Sequence, residues 1–369
     1  MENKHRLTYT PFNSSESYAV EFWKQFPKGW DPPELTRFKK GLMIIDTAIP
    51  KNFVNRVLTS FKNSGIKIQI YYFDFGPKTL SRLVPILKMM VAFTPDIVIG
   101  IGGGTVSDIV GFAAACYQRG IPHILFPTTT LGMVDASIGG KTAIDFGGVK
   151  NSIGAIHFPI LAANSLEVLD SLDPAEFLAG FAEIIKAAIL FDKDFFWELE
   201  SFSNQDVMNI RNDRFLQIIR HSAHLKMKNS EAHTSHKIKL LYGHAIGHGL
   251  ELLGHSRRRH GDCVAIGMNI EGAMACHKGI WKFKEWESQR RLLKQFRLPT
   301  AFPPDVNIKT LISKMSLYKK LASDESFLFV FPKHFGEVYI NNNGGFTSTI
   351  AKNELEVLLK KCIELDKEE

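Results

Sequence analysis

Four side chains in this sequence have types and spacings that suit a divalent metal. His244 and His248, in "YGHAIGHGLE" (242–251), are four residues apart and so share one helix face. His260 follows sixteen residues after His244, beyond "GHSRRRH". Glu183, in "AGFAEIIKAAIL" (179–190), is three residues from Lys186 on one face of a strongly apolar helix. Glu183, His244 and His260 would make an open three-ligand zinc site, with the fourth position left for substrate. The same residues also read without chemistry. Surface histidines are common, and a buried Glu–Lys pair can be a structural ion pair.

A second set suits an anionic dinucleotide. In "IGIGGGTVSDIVGFAAACYQRG" (99–120) a strand ends in Gly102, Gly103 and Gly104, and a helix begins near Thr105. Glycines let a pyrophosphate approach the backbone, and the helix start offers N–H groups and a positive dipole end. The spacing is not GxGxxG, so a plain tight turn stays open. Asp46 ends the run "GLMIID" and either accepts hydrogen bonds from a ribose or caps a turn. The stretch "FPTTTLGMVDASIGGKTAIDFGGVKNSIGA" (126–155) carries Thr128, Thr129, Asp135, Lys141, Lys150 and Asn151 among glycines and apolar residues. It is too long and too apolar for a simple connection and reads as a loop lining a cleft. Lysines beside glycines suit phosphate.

These residues need a scaffold of two textures. The runs "GLMIID" (41–46), "IKIQIYYF" (66–73), "DIVIGIG" (96–102) and "PHILFP" (122–127) read as buried strands, with helical stretches between them. That alternation predicts a Rossmann-like parallel sheet over residues 1–160. Strand signals nearly vanish afterwards, and 3–4 apolar spacing predicts a mainly helical domain over 161–369, with a late strand at "SFLFVFP" (326–332). The class is α/β, and the cleft between the two domains is the expected place for a site. The chain has 369 residues, 45% apolar and 22% charged, as in a globular protein. Its net charge of +7 suits an anionic small molecule, and its basic runs lack the interleaved aromatics of a nucleic-acid binder. Cys116, Cys263, Cys276 and Cys362 are scattered, which argues against a zinc ribbon or disulfide framework and fits a reducing cytoplasm. No stretch reads as a signal peptide or a membrane span, since Lys88, Pro95 and Asp96 break the apolar run 83–101.

Taken together, "GGGTVSDIVGFAAACYQRG", "PTTTLGMVDASIGGKTAID", "KNSIGA", "AGFAEIIKAAI", "YGHAIGHGLE" and "HGDCVAIGM" resemble the motif series of the dehydroquinate synthase family of sugar-phosphate cyclases, in order and in separation, over residues 99–270. The resemblance implies that Glu183, His244 and His260 hold Zn2+, with Co2+ or another divalent metal as a substitute. It implies NAD at Asp46, Gly103, Gly104, Thr105, Asp108, Thr128, Thr129, Asp135, Lys141 and Lys150. Arg119, Lys141, Asn151, Lys186 and His248 fall on positions around the substrate and its phosphate. Lys226, Lys237 and Lys319 fall on substrate-binding positions, Lys319 by a weaker match. The implied chemistry is oxidation of a ring hydroxyl by NAD, phosphate elimination, return of the hydride, ring opening and an internal aldol closure. A phosphorylated sugar as the small-molecule partner and a homodimer are implied too.

The sequence departs from the family where the substrate carboxylate would bind. Leu241 stands where an asparagine is expected and Lys237 where an arginine is expected; lysine cannot reproduce a bidentate carboxylate contact. The segment "GPKTL" (76–80) is shortened where the family carries a glutamate and a lysine near the ribose. These departures predict an altered substrate. The alternatives are deoxy-inosose-type or valiolone-type cyclization of glucose 6-phosphate or sedoheptulose 7-phosphate. A metal-dependent NAD alcohol dehydrogenase is the alternative from another class.

Overall fold

Strands buried on both faces read as unbroken apolar runs, and helices then cover the sheet. The computed structural model describes residues 5–11, 17–202, 212–231, 238–254, 258–317, 323 and 325–365. Its strands are β1 (Arg6–Tyr9), β2 (Tyr18–Trp23), β3 (Lys40–Asp46), β4 (Lys67–Phe73), β5 (Ile97–Gly102), β6 (His123–Pro127), β7 (Lys141–Phe146), β8 (Val149–Ile156) and β9 (Leu161–Ser165). Seven of them form one sheet in the order β1-β2-β9-β6-β5-β3-β4. Only the β1–β2 pair is antiparallel. Every residue of β5 and β6 is buried. The chain leaves β3 for β4 on one side and returns to β5 on the other, so the strand order reverses between β3 and β5. In open α/β sheets ligands bind at such a reversal, outside the carboxyl ends of the strands.

Helices α1 (Lys51–Asn63), α2 (Leu80–Phe93) and α3 (Gly104–Cys116) are the crossovers. Helix α3 is apolar nearly all round, with Val106, Ile109, Val110, Ala113 and Ala114 packed into a core that includes Leu42, Ile44, Val98 and Leu125. The stretch 126–155, expected as a loop, contains a π-helical turn at Gly132–Ala136 and the β7–β8 hairpin. Phe146 pairs with Val149, leaving Gly147 and Gly148 as a two-residue turn at φ 62° and 75°. Such a turn needs positive φ at both positions, which glycine supplies without strain.

Residue contacts divide the chain into two compact units, Met1–Phe177 with Asn209–Met227, and Leu178–Met208 with Lys228–Glu369. The strand β9 lies beyond residue 160 and belongs to the large sheet. Next come α4 (Pro174–Ala179), α5 (Phe181–Phe191), α6 (Lys193–Glu200), α7 (Asp213–Glu231), α8 (His244–Leu253), α9 (His260–His277), α10 (Phe283–Gln295), α11 (Ile308–Met315) and α12 (Lys352–Leu365). In the second unit α5 and α9 are buried almost throughout, which marks them as central helices. The late strand appears as β10 (Ser326–Phe329) and β11 (Pro332–His334), paired with the short β13 (Ser348–Ala351) and β12 (Glu337–Val338). No helix among the described residues is long and apolar enough to cross a membrane.

Candidate metal centre and cofactor loop

The apolar helix α5 carries Glu183 and Lys186 into the interior, where they are 4% and 2% exposed. A buried carboxylate must find partners for both oxygens. Oε2 pairs with the Lys186 ammonium. Oε1 faces two imidazoles, lying 3.5 Å from His244 Nε2 and 3.8 Å from His260 Nε2. The ion-pair reading and the ligand reading of Glu183 therefore hold together, one on each oxygen. One ligand atom from each of Glu183, His244 and His260 falls within 4.8 Å of the others. Tetrahedral zinc with bonds of about 2.0–2.1 Å has ligand–ligand edges of roughly 3.4 Å, so a small contraction would complete the site.

The imidazole orientations fit this use. His244 Nδ1 is 3.1 Å from the Tyr242 carbonyl oxygen. A carbonyl only accepts, so Nδ1 carries the hydrogen and the Nε2 lone pair faces Glu183. His260 Nδ1 lies 3.4 Å from Glu251 Oε2, and its Nε2 again turns toward Glu183. Metal-binding histidines are ordinarily held by such a hydrogen bond from the other ring nitrogen. Burial, reinforced by Lys186, holds His244 neutral, well below the usual imidazole range. Burial and the neighbouring His260 lower His248 to about 4. For His260 burial works downward, but Glu183 and Glu251 on its two sides outweigh it and raise the group to about 10. The negative field that holds this proton also favours a divalent cation, which binds by displacing it. His248, Glu251 and His260 form a second close set. It shares His260 with the first set, so one imidazole is common to both.

Glycine brings the two histidine helices together. A Cβ on Gly267 of α9 would lie 2.0 Å from the Gly243 carbonyl oxygen, and one on Gly247 of α8 would lie 3.0 Å from the Cys263 carbonyl oxygen. The helices thus meet backbone to backbone, which puts Glu251 beside His260 and brings the His260 ring centroid to 5.4 Å from that of His244 and 6.1 Å from that of His248.

In the first unit, Asp46, Gly103 and Thr128 stand at the carboxyl ends of the adjacent strands β3, β5 and β6. Asp46 Oδ1 accepts the Ala48 N–H at 2.9 Å, the turn-cap role allowed for it. Gly103 is the N-cap of α3 and brings no capping side chain, while Gly104 and Thr105 form the first turn. An added Cβ on Gly103 would lie 3.0 Å from Thr129 Cγ2. Thr129 Oγ1 accepts the Gly132 N–H at 2.9 Å and opens the π-helical turn that carries Asp135. Asp135 pairs with Lys226, and Asp108 of α3 with Lys78.

Arg119 and Asn151 have φ of 66° and 53°, left-handed backbone that non-glycine residues rarely adopt. Strain of this kind gathers at functional positions. Asn151 is held there in part by its N–H, which donates to Asp145 Oδ1 at 3.0 Å. Lys141 and Lys150 stand at opposite ends of the hairpin. Lys141 pairs with Ile156, six residues from Lys150, which separates the two backbones by about 20 Å. The two lysines therefore cannot both hold one phosphate group. Lys237 and Lys319 lie outside the described residues.

Sequence reasoning missed Glu251 and Lys78. Glu251 is three residues after His248 and seven after His244, on the face they share, so helical spacing could have found it. Lys78 belongs to a short polar segment without periodicity, and its pairing with Asp108 spans 30 residues.

Comparisons with known proteins show the family to which the chain belongs. Residues 77–179 match the family description "3-dehydroquinate synthase N-terminal" and residues 180–321 match "3-dehydroquinate synthase C-terminal". The chain is 36% identical over 316 residues to the 3-dehydroquinate synthase of Prochlorococcus marinus (strain MIT 9312), covering 83% of this chain and 86% of the relative. Among solved structures, a 2-deoxy-scyllo-inosose synthase complexed with carbaglucose-6-phosphate, NAD+ and Co2+ superposes with a TM-score of 0.84 at 18% identity, covering 96% of this chain and all of that one. The 2-epi-5-epi-valiolone synthase from Streptomyces hygroscopicus subsp. jinggangensis 5008, with NAD+ and Zn2+ bound, gives 0.83 at 23% identity, covering 97% and 99%.

Proposed function

Because the chain belongs to the 3-dehydroquinate synthase family, we propose that it is an NAD- and metal-dependent cyclase that converts a phosphorylated keto-acid sugar to a carbocycle with loss of phosphate. The observation that carries this reading is the convergence of Glu183 Oε1, His244 Nε2 and His260 Nε2, with each Nδ1 held by an oxygen acceptor. When bound, the metal supplies Lewis-acid polarisation of substrate oxygens, and the dinucleotide supplies a temporary hydride acceptor.

The chain's own groups do the rest. Lys186 is a buried cation beside the ligand set, suited to an anionic substrate. His248, lowered to about 4, is neutral at neutral pH and can accept a proton or a hydrogen bond. Arg119 and Asn151, fixed on left-handed backbone, are the phosphate and hydroxyl contacts in this reading. The dinucleotide is assigned to Asp46, the Gly103–Gly104 turn, Thr128, Thr129 and Asp135, and the metal to the helical unit. Lys226 is drawn to the cofactor side through Asp135.

We further infer a homodimer. Exposed Tyr72, Phe75, Val91 and Ile156 lie on or near edge strand β4, helix α2 and the hairpin, where a second copy would bury them. The four free thiols fit a reducing cytoplasm.

The deciding experiment incubates the metal- and NAD-loaded protein with the seven-carbon keto-acid phosphate, glucose 6-phosphate and sedoheptulose 7-phosphate. Phosphate release, product mass and NADH absorbance are followed. Stoichiometric phosphate and a carbocycle without net NADH support the proposal. Net NADH from a simple alcohol, with no phosphate released, would replace it with the dehydrogenase reading.

A further inference from the structure

Helix α8 begins on His244, and its N-cap, Gly243, stands at φ 78° with no side chain to offer. The first N–H groups of a helix have no partner within it. Here they are taken by another helix. Glu271 of α9 accepts the Gly243 N–H through Oε2 at 2.7 Å and the Ile246 N–H through Oε1 at 3.1 Å. The carboxyl group is fully buried. Both of its oxygens accept, and they bracket the residue that supplies one metal ligand. At the far end of the same helix pair the relation is reversed, since Glu251 of α8 accepts from His260, the first residue of α9. Glu271 thus holds backbone N–H groups at the start of α8, and Glu251 holds the His260 ring at the start of α9, so a buried carboxylate stands at each of the two turns that carry an imidazole ligand.

From this geometry we infer that Glu271 is a positioning residue for the metal centre, fixing the axial position of α8 on α9 and so the separation of His244 from His260. Two sites of attachment define that position, while the glycine contacts between the helices set only their distance of approach. Replacing Glu271 with glutamine keeps the shape but removes one of the two acceptors and sets an amide N–H against a backbone N–H. Aspartate keeps the carboxyl group but is one methylene too short to reach both N–H groups.

This inference rests on the metal reading of Glu183, His244 and His260, and the test separates the two. The full-length protein is stripped with chelator and titrated with Co2+ and Zn2+ by calorimetry, and the Co2+ ligand-field spectrum is recorded. Failure of the wild-type protein to bind either metal would overturn the metal reading itself. If it binds, Glu271→Gln should weaken affinity by roughly 10- to 100-fold, the usual effect of losing a group that orients a ligand, and should shift the Co2+ bands. NAD affinity should be unchanged. Leu359→Ala, which opens a cavity under α12, should lower the melting temperature without changing either metal readout. If Glu271→Gln does not fold, Glu271→Asp is judged on the same readouts. Wild-type Co2+ affinity and spectrum in the folded variant, with only a loss of stability, would show that Glu271 is merely structural.

Discussion

His123 of β6 is fully buried, and its ring stacks on His157 with centroids 5.1 Å apart. Neither ring nitrogen has a hydrogen-bond partner among the described residues. Burial, and secondarily the neighbouring His157, lower its pKa from 6.5 to about 3. In the unfolded chain the group returns to about 6.5. Between those values the unfolded chain binds a proton that the native protein refuses, so this contribution to stability is fully present above pH 6.5 and is lost as pH falls toward 3. The slope is about 1.4 kcal/mol per pH unit, which gives a loss of about 2.7 kcal/mol between neutrality and pH 4.5. His123→Leu removes the titrating group and leaves an apolar side chain in a fully buried strand. It should be as stable as the wild-type protein, or more so, at pH 7.5, because a buried polar group without a partner costs about 1–3 kcal/mol. Urea unfolding at pH 7.5, 5.5 and 4.5 reads both effects. The wild-type protein should lose about 2–3 kcal/mol more than the variant over that range. Parallel losses in the two proteins would show that His123 is protonated in the fold and that the burial argument is wrong.

Three further outcomes follow from the sites. His260→Ala should abolish stoichiometric metal and nearly all cyclase activity while leaving NAD affinity intact; full zinc content by mass spectrometry would count against the ligand assignment. Gly103→Val sets a branched side chain where even a Cβ lies 3.0 Å from Thr129, so bound NAD should be lost from a folded protein, and unchanged affinity by calorimetry would remove Gly103 from the cofactor site. Leu241 lies half-buried in the turn that precedes α8, three residues from His244, and Leu241→Asn should raise kcat/KM for the seven-carbon keto-acid phosphate. No gain over a wild-type protein that already turns this substrate over at a rate typical of the family would refute the altered-substrate expectation.

The parallel strands β3, β5 and β6 were legible because burial on both faces leaves unbroken apolar runs bounded by turns, whereas β4, also read as buried, is an edge strand with only Phe73 fully covered. Strand β9, "LAANS", was not, because Asn164 and Ser165 are polar yet buried; the Asn164 Nδ2 donates to the Glu21 carbonyl oxygen, 143 residues away. Strand β2 hides for a related reason, since its buried Glu21 is accounted for only by Arg6 and Trp30. The Gly147–Gly148 hairpin signal was present in the sequence but was submerged in a glycine-rich stretch. At the site, the spacing of His244 and His248 shows in any helical reading. The approach of Glu183 to His244 spans 61 residues; residue types made it one reading, beside a structural ion pair, and the motif order favoured it. Lys226 and Asp135 meet across 91 residues, and no local pattern encodes that pairing.

The glycine contact between α8 and α9 has a mechanical consequence. Most helix pairs are separated by interdigitated side chains that hold their axes about 8–10 Å apart and that can change rotamer when a neighbour is substituted. Gly243, Gly247 and Gly267 leave no such compliant layer here. A disturbance elsewhere in the core therefore cannot be absorbed by a rotamer change between the helices, which keep their distance of approach while Glu271 and Glu251 hold their axial position. The two imidazole ligands ride on a single stiff body, so their spacing can stay constant while the surrounding sequence drifts.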